Sequence, residues 1–263
     1  MNNNSYLIES IDETRRLDLQ SKISVYNIDL ELEYFNFNHN DITLDAGCGT
    51  GHLIKKLIEK NIRNIHALDF SKERLEEIKN KYISETNKTE IKLIHADVTD
   101  TKIENNTYDR IVSRYLYEHL REPEKAVKEM YRILKHGGEY NIINFDDIFF
   151  GFETKNERFN ANLKKLKQSI PYDFNIAKKL PQLLRKHGFT NVFWQAQTYF
   201  FKGEELALEK ENNRMRLHQA KESFKNFFDA SYSYDQFAED YLNELDDECN
   251  VNSTTKFLIR AIK

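Results

Sequence analysis

A glycine-rich turn between an apolar run and a helical pattern constrains this chain more than any other feature. The run from Ile42 to Ala46 is apolar with one acid near its end, which is typical of a buried parallel strand. Gly47, Gly49 and Gly51 follow it, and the next residues have helical spacing of apolar positions. Glycine tolerates positive φ and has no Cβ, so a ligand can approach this backbone closely. The N–H groups at the start of the following helix favour an anionic group there.

The spacing of these glycines distinguishes between two kinds of nucleotide ligand. A dinucleotide fingerprint is G-x-G-x-x-G, whose third glycine packs the helix on the strand. His52 takes the place of that last glycine, which disfavours a nicotinamide-dependent oxidoreductase. The G-x-G-x-G form, with Asp45 just before it, resembles the first motif of the class I S-adenosylmethionine-dependent methyltransferases. A turn with a purely structural role is the alternative.

Strands and helices alternate after residue 41, which predicts an α/β fold. The predicted strands cover residues 42–46, 64–69, 91–96, 108–113 and 140–145, with helices at 51–60, 72–82 and 122–134. Crossovers of this kind are right-handed and return to the same sheet, so the sheet should be parallel and covered on both faces. Ligands of such sheets bind beyond the carboxyl ends of the strands.

The second half of the chain predicts two further strands and three helices. Gly137 and Gly138 are expected to end the helix at 122–134, and Pro181 is expected to kink or delay a helix at 175–187. Further helices are predicted at 203–230 and 234–245, and strands at 191–201 and 254–262. The last two strands resemble the antiparallel pair that closes a methyltransferase sheet.

Further segments are similar to the same family, and the resemblance covers most of residues 41–200. They are Tyr108 to Val112 with Tyr117 to Leu120 after it, Arg132 to Gly138, and Pro181 to Phe189. The resemblance implies a Rossmann-like class I methyltransferase fold, with a mainly parallel seven-stranded sheet and an antiparallel final strand. It also implies an N-terminal helical lid at 1–40 and a methyltransferase domain at 41–263, with helical cap insertions at about 146–175 and 203–247.

The implied cofactor, S-adenosyl-L-methionine, has four polar parts that need different partners. Asp69, roughly 20 residues beyond the glycine loop, is placed for the ribose diol. The α-ammonium group would meet Asp45 and the main chain at Ser113. The N–H groups of the glycine loop would bind the carboxylate. A cap on the following helix is the alternative role for Asp69.

The adenine and the lid contribute the remaining candidates for cofactor binding. Phe70 could pack on the adenine, and Asp97, followed by Val98, is placed to accept from its amino group. A plain turn is the alternative for Asp97. Tyr6 and Arg16 lie in a segment that looks like the lid helix of small-molecule methyltransferases, and a solvated helix is the alternative there.

The candidates for catalysis follow the fourth strand. His119 is the candidate general base, because an unperturbed histidine titrates near neutrality. Tyr115 and Tyr117 could orient the acceptor. The Asn/Asp-Pro-Pro-aromatic signature of many nucleic-acid methylases is absent here, which lowers the odds of base methylation. Aromatic residues at 149–159 and 199–228 could roof a pocket for an aromatic or lipophilic molecule, with ordinary core packing as the alternative.

Composition narrows the functional classes. The net charge of -4 offers no basic field for nucleic acid, and the eight histidines lack metal-ligand spacing. Cys48 and Cys249 are far apart in the sequence, which favours a reducing cytoplasm over a disulfide framework. No apolar run has membrane length. A monomer or homodimer without a metal ion is expected. The predicted activity is methyl transfer to O, N or C of a small aromatic or lipophilic molecule. The alternatives are a protein or RNA methyltransferase and a non-catalytic cofactor-binding partner protein.

Overall fold

A seven-stranded sheet carries the fold in the computed structural model, which describes residues 11–83, 89–152 and 154–263. The strands are β1 Ile42–Ala46, β2 Asn64–Asp69, β3 Glu90–His95, β4 Tyr108–Arg114, β5 Leu134–Asp146, β6 Thr190–Phe200 and β7 Ser253–Ile262. Their order is β3-β2-β1-β4-β5-β7-β6. The first five strands pair in parallel, and β7 lies antiparallel between β5 and β6. The predicted sheet is therefore confirmed.

The helices lie between the strands and in a second group after β5. They are α1 Ile11–Gln20, α2 Ile28–Glu33, α3 His52–Glu59, α4 Lys72–Ile78, α5 Pro123–Ile133, α6 Glu157–Ser169, α7 Ile176–Lys186, α8 Gly203–Phe224 and α9 Tyr234–Glu244. Local sequence starts several of them: Pro123 occupies the first turn of α5, and the Ser71 hydroxyl accepts from the Arg74 N–H at the start of α4.

Two hydrophobic clusters cover the two faces of the sheet. Leu44 and Ala46 face the cluster that contains the buried residues of α5 and α7. The other cluster contains the apolar residues of α3 and α4. Because side chains alternate along a strand, Asp45 lies on the face opposite Leu44 and Ala46. This alternation sets one carboxylate among the apolar residues at the end of β1.

The chain divides into two compact units. The sheet unit comprises Ile28–Asp146, Asn175–Gln197 and Lys256–Lys263. The helical unit comprises the described part of Met1–Asn27 together with Asp147–Phe174 and Thr198–Thr255, and its core is largely aromatic. Residues 28–40, which the resemblance assigns to the lid, fall in the sheet unit. The extents of the lid and cap domains stay a prediction.

Two local expectations differ from the structure. The helix before β5 ends at Ile133, and Gly137 and Gly138 lie inside β5, because they exchange backbone hydrogen bonds of 2.9 and 3.1 Å with Lys263. Helix α7 also begins at Ile176 and continues through Pro181, so this proline does not delay the helix. Burial of its apolar face stabilises α7 enough to offset the roughly 3 kcal/mol that an interior proline costs.

The helices of residues 11–83, 89–152 and 154–263 include none that combines the length and apolar character needed to cross a membrane.

Candidate functional site

The glycine loop after β1 has a left-handed backbone at three alternate positions. The φ angles of Gly47, Gly49 and Gly51 are +79°, +51° and +83°. A Cβ on Gly47 would lie 2.9 Å from Leu116 Cδ1, and one on Gly51 would lie 2.8 Å from Tyr82 Cε2. These two glycines therefore allow close packing of the loop on its neighbours.

Gly49 differs from the other two glycines of the loop. A Cβ on Gly49 would have no described atom within 4 Å. Its N–H donates to Asp69 Oδ2 at 2.9 Å, so the loop is fixed to the end of β2. The structure thus brings together the glycine loop and the predicted ribose-binding acid, with open space at the middle glycine. A ligand could approach the backbone at that point.

Asp69 is a largely buried carboxylate with two backbone partners. Its Oδ1 accepts from the Ser71 N–H at 3.0 Å, and its Oδ2 accepts from the Gly49 N–H. The residue is 7% exposed. Each carboxylate oxygen has a second lone pair, so these bonds are compatible with acceptance from a diol. The bond to Ser71 also fits the alternative of a turn that precedes α4.

Asp45 is a buried carboxyl group whose pKa is raised by its surroundings. It is 1% exposed, and its Oδ2 has no hydrogen-bond partner among the described residues. Burial and the nearby charge of Asp69 raise the pKa of Asp45 to about 8, and the charge of Arg114 opposes this rise. A buried carboxylate oxygen without a donor is costly, whereas a cationic donor would satisfy it.

The predicted adenine contacts lie at the ends of β2 and β3. Phe70 is 37% exposed, and its carbonyl accepts from His95 Nε2 at 2.8 Å. The Oδ1 of Asp97 accepts from the N–H and the hydroxyl of Thr99 at 2.8 and 2.7 Å, which is a turn geometry. Val98 is buried in the core. These residues follow the carboxyl ends of the strands next to β1, which carries the glycine loop. Their contacts with adenine remain a proposal.

Ser113 and Tyr117 are joined by one chain of hydroxyl groups inside the core. Ser113 Oγ lies 3.1 Å from the Tyr140 hydroxyl, which lies 2.7 Å from the Tyr117 hydroxyl. All three residues are fully buried. Burial and the neighbouring Tyr140 hold the pKa of Tyr117 well above its usual value. This environment is typical of core residues, and the roles predicted for Ser113 and Tyr117 stay untested.

Tyr115 has an unusual backbone at the end of β4. Its φ is +55°, a region that residues with a side chain rarely adopt and that is enriched at functional sites. Its ring stacks on Phe145 with centroids 4.6 Å apart, and the Arg114 guanidinium lies 4.2 Å from its centroid. The phenol donates to Glu31 Oε1. This backbone and these contacts fix the Tyr115 ring at the strand end.

Glu31 joins this site to α2 and β7, which sequence reasoning did not find. Its carboxylate accepts from Arg114 Nε at 2.6 Å and from Lys256 Nζ at 2.7 Å. Glu31 is 1% exposed and Lys256 is 3% exposed. Positions 31, 114 and 256 carry no shared motif, so only the tertiary structure brings them together.

The charges of this buried cluster compensate one another. Burial alone would raise the pKa of Glu31, but the charges of Arg114 and Lys256 outweigh it and lower that pKa. Burial lowers the pKa of Lys256, against the charge of Glu31. The cluster therefore holds a guanidinium close enough to act on Asp45, since the charge of Arg114 lowers the pKa of Asp45.

The remaining candidates lie in a short turn and in α1. His119 ends the 3-10 turn Tyr117–His119, is partly buried, and donates its backbone N–H to the Leu116 carbonyl at 3.0 Å. Arg16 is buried within the helical unit, where it donates to Glu13, Gln20 and Asn212. The cofactor contact predicted for Arg16 remains a proposal, and Tyr6 lies outside the described residues.

Residues 44–142 match the family model described as a methyltransferase domain. Phosphoethanolamine N-methyltransferase 2 of Caenorhabditis elegans is 24% identical over 202 residues, which are 77% of this chain and 43% of that protein. The demethylmenaquinone methyltransferase of Geobacillus sp. (strain WCH70) is 24% identical over 185 residues, which are 64% of this chain and 79% of that protein.

A solved structure has the same fold. Phosphoethanolamine N-methyltransferase 2 of Haemonchus contortus, in complex with phosphomonomethylethanolamine and S-adenosylhomocysteine, has a TM-score of 0.56 and 20% identity. The similarity covers 95% of this chain and 52% of that one. This chain thus spans about half the length of the phosphoethanolamine relatives that it matches. Residues 44–142 thus match a methyltransferase domain, and the fold agrees with the class I methyltransferase fold that the sequence resembles.

Proposed function

We propose that this chain transfers a methyl group from S-adenosylmethionine to an O, N or C atom of a small molecule. The observation that carries the proposal is Asp45, whose buried Oδ2 has no hydrogen-bond partner among the described residues. It lies at the end of β1, next to a loop with open space at Gly49. An α-ammonium group would supply the missing donor, and a dinucleotide pyrophosphate would place negative charge there instead.

The described residues fit the parts of the cofactor. Asp45 would hold the α-ammonium group, the glycine loop would donate N–H groups to the carboxylate, and Asp69 would accept from the ribose diol. Phe70, Asp97 and Val98 would border the adenine. When bound, S-adenosylmethionine supplies a methyl group activated by the positive charge of a sulfonium.

The end of β4 is proposed to orient the acceptor. Tyr115 is held by Phe145, Arg114 and Glu31, so its ring would form a fixed wall beside the reacting groups. Holding an acceptor in line with the breaking bond supplies much of the rate of such a displacement. His119 would take the proton of a hydroxyl or ammonium acceptor.

The relatives support a small-molecule acceptor, since one is named for phosphoethanolamine and another for demethylmenaquinone. The aromatic residues Phe149, Phe152 and Phe159 are buried and pack on one another or on Tyr241 within the helical unit, which fits core packing. Because of the names of these two relatives, the panel of acceptors to be tested should include both phosphorylated amines and aromatic quinols.

The test is a transfer assay with isotopically labelled methyl donor, followed by mass spectrometry of a panel of acceptors and of cell extract. The expected result is a labelled small molecule whose formation is lost in Asp45→Asn. Tight cofactor binding without any labelled product would contradict the proposal and favour the non-catalytic alternative. Label found only on protein or RNA would equally contradict it.

A further inference from the structure

Strand β6 is an unusual edge for a sheet of this size. It is the last strand in the sheet order, so only β7 pairs with it in the described part of the chain. It is 11 residues long, whereas strands of about 5–6 residues are typical. Nine of its residues are exposed, so both faces of β6 are open to solvent. The neighbouring β7, in contrast, has mostly buried residues. The outer side of β6 is therefore a long, accessible pairing edge.

β6 also lacks the devices that usually protect an edge. Its sequence TNVFWQAQTYF contains no charged residue, no proline and no glycine, although 31% of the chain is charged. The opposite edge strand, β3, is a contrast: it has only 6 residues and carries Glu90 and Lys92, both exposed. Charge and short length are common means to prevent edge pairing, and within this sheet only β3 uses them.

Three large aromatic side chains are exposed on β6. Phe193 is 58% exposed, Trp194 is 52% exposed and Phe200, the last residue of the strand, is 58% exposed. Consecutive strand residues point to opposite faces, so Phe193 lies on one face and Trp194 on the other. The Trp194 ring also leans on Phe257 of β7, with centroids 5.8 Å apart, which fixes its orientation. A neighbouring strand would bury the rings of Phe193 and Trp194 at once.

We propose that β6 pairs antiparallel with β6 of a second copy of this chain, about a two-fold axis near Gln195. An antiparallel self-pairing strand brings the residues near the axis close to their own counterparts, so like charges there would repel. The uncharged β6 avoids this repulsion, and its neutrality gives no electrostatic preference for a partner of opposite charge. The Trp194 rings of the two copies would be diagonal neighbours across the axis, at a spacing that aromatic side chains can bridge.

This pairing would make one continuous sheet across two copies and leave the candidate cofactor site open. β6 is separated from β4 by β5 and β7, and from β1 by one strand more. The glycine loop and Asp69 lie at the ends of β1 and β2, away from this edge. The inference is thus independent of the proposed function. A monomeric active enzyme would overturn the proposed dimer and leave the proposed function standing.

The first test is the mass in solution, measured by analytical ultracentrifugation over a concentration series up to about 100 µM. The expected species has twice the 31.4 kDa of one chain and dissociates in Trp194→Lys. Gln195→Lys, at an exposed polar position, should do the same and guards against a folding defect in the tryptophan variant. Glu90→Lys on β3 is the matched control and should leave the dimer intact. A monomer at all concentrations, or a dimer that resists both β6 substitutions, would overturn the proposal.

The second test is disulfide trapping, with one cysteine introduced in turn at positions 193 to 197 in a Cys249→Ser background, where the remaining Cys48 is buried. Directly opposed residues of an antiparallel pair have Cα atoms about 4.5–5.5 Å apart, which suits a disulfide. Each step of one residue away from the axis separates a residue from its own counterpart by about 7 Å more. One position should therefore cross-link in much higher yield than its neighbours. Equal yields at all five positions would contradict a defined strand pair.

Discussion

At the scale of single residues, the proposed role of Asp45 makes cofactor affinity depend on the charge of this carboxyl. Because burial and Asp69 raise its pKa to about 8, this carboxyl is protonated at pH 6 to 7 in the free protein. An α-ammonium group needs the ionised form, so binding at that pH releases a proton. The free α-amino group has a pKa of about 8 and loses its own proton above that pH.

We therefore expect cofactor affinity to rise by about tenfold per pH unit from pH 6 to 7.5, and to be greatest near pH 8. Calorimetry in two buffers of different ionisation enthalpy measures both the affinity and the proton released. Asp45→Asn should bind more weakly at every pH and release no proton. An affinity that is constant from pH 6 to 8 in the unaltered chain would count against the role of Asp45.

The predicted role of His119 as general base also depends on a single side chain. Replacement of His119 by alanine should leave cofactor affinity unchanged and lower turnover by about 10²–10⁴-fold if it serves as general base. The exposed His136, which follows α5, offers a matched control in His136→Ala. Turnover that His119→Ala leaves unaltered across the pH range would remove this role.

At the scale of elements, the glycine loop combines two kinds of glycine that substitution can separate. Alanine in the left-handed region costs about 1–2 kcal/mol at either position. Gly51→Ala should cost more stability than this, because the new methyl group would meet Tyr82 at 2.8 Å. Gly49→Ala meets no described atom, so it should mainly weaken cofactor binding.

Denaturant unfolding and calorimetric titration of the two glycine variants measure stability and affinity side by side. The contrast between them is the prediction: greater loss of stability in Gly51→Ala, and greater loss of affinity relative to stability in Gly49→Ala. Equal effects on both quantities would indicate that Gly49 does not face a ligand.

Helix α2 is anchored to the sheet by the buried carboxylate of Glu31. Glu31→Gln removes the charge that compensates Arg114 and Lys256, and loss of one partner from a buried ion pair costs about 3–5 kcal/mol. Glu33→Gln, at an exposed position of the same helix, is the matched control and should change stability by less than about 0.5 kcal/mol. Similar unfolding midpoints for the two variants would contradict the anchoring role.

At the scale of the whole molecule, the sheet was predictable because its signals are local. The bounds of β1 and β2 match the expectation at both ends, since an apolar run followed by Gly47 or by Asp69 marks a strand and its carboxyl end. The same reasoning places Asp45, Asp69 and Asp97 at the carboxyl ends of three neighbouring strands. The structure agrees with that placement.

The features that sequence reasoning missed depend on distant parts of the chain. Glu31 and Lys256 are 225 positions apart, and nothing in either local pattern marks them as partners. The extension of β5 through Gly137 depends on pairing with Lys263 at the other end of the chain. Continuation of α7 through Pro181 likewise depends on its packing against the sheet, which outweighs a local preference.

The most direct test of the account is calorimetric titration of the unaltered chain and of Asp45→Asn with S-adenosylmethionine, S-adenosylhomocysteine and NAD at pH 8. We predict that one S-adenosylmethionine binds per chain, that Asp45→Asn weakens this binding, and that NAD does not bind. Binding of NAD alone, or equal binding of S-adenosylmethionine by the two proteins, would contradict the claim that the loop after β1 and its buried carboxylate form the cofactor site.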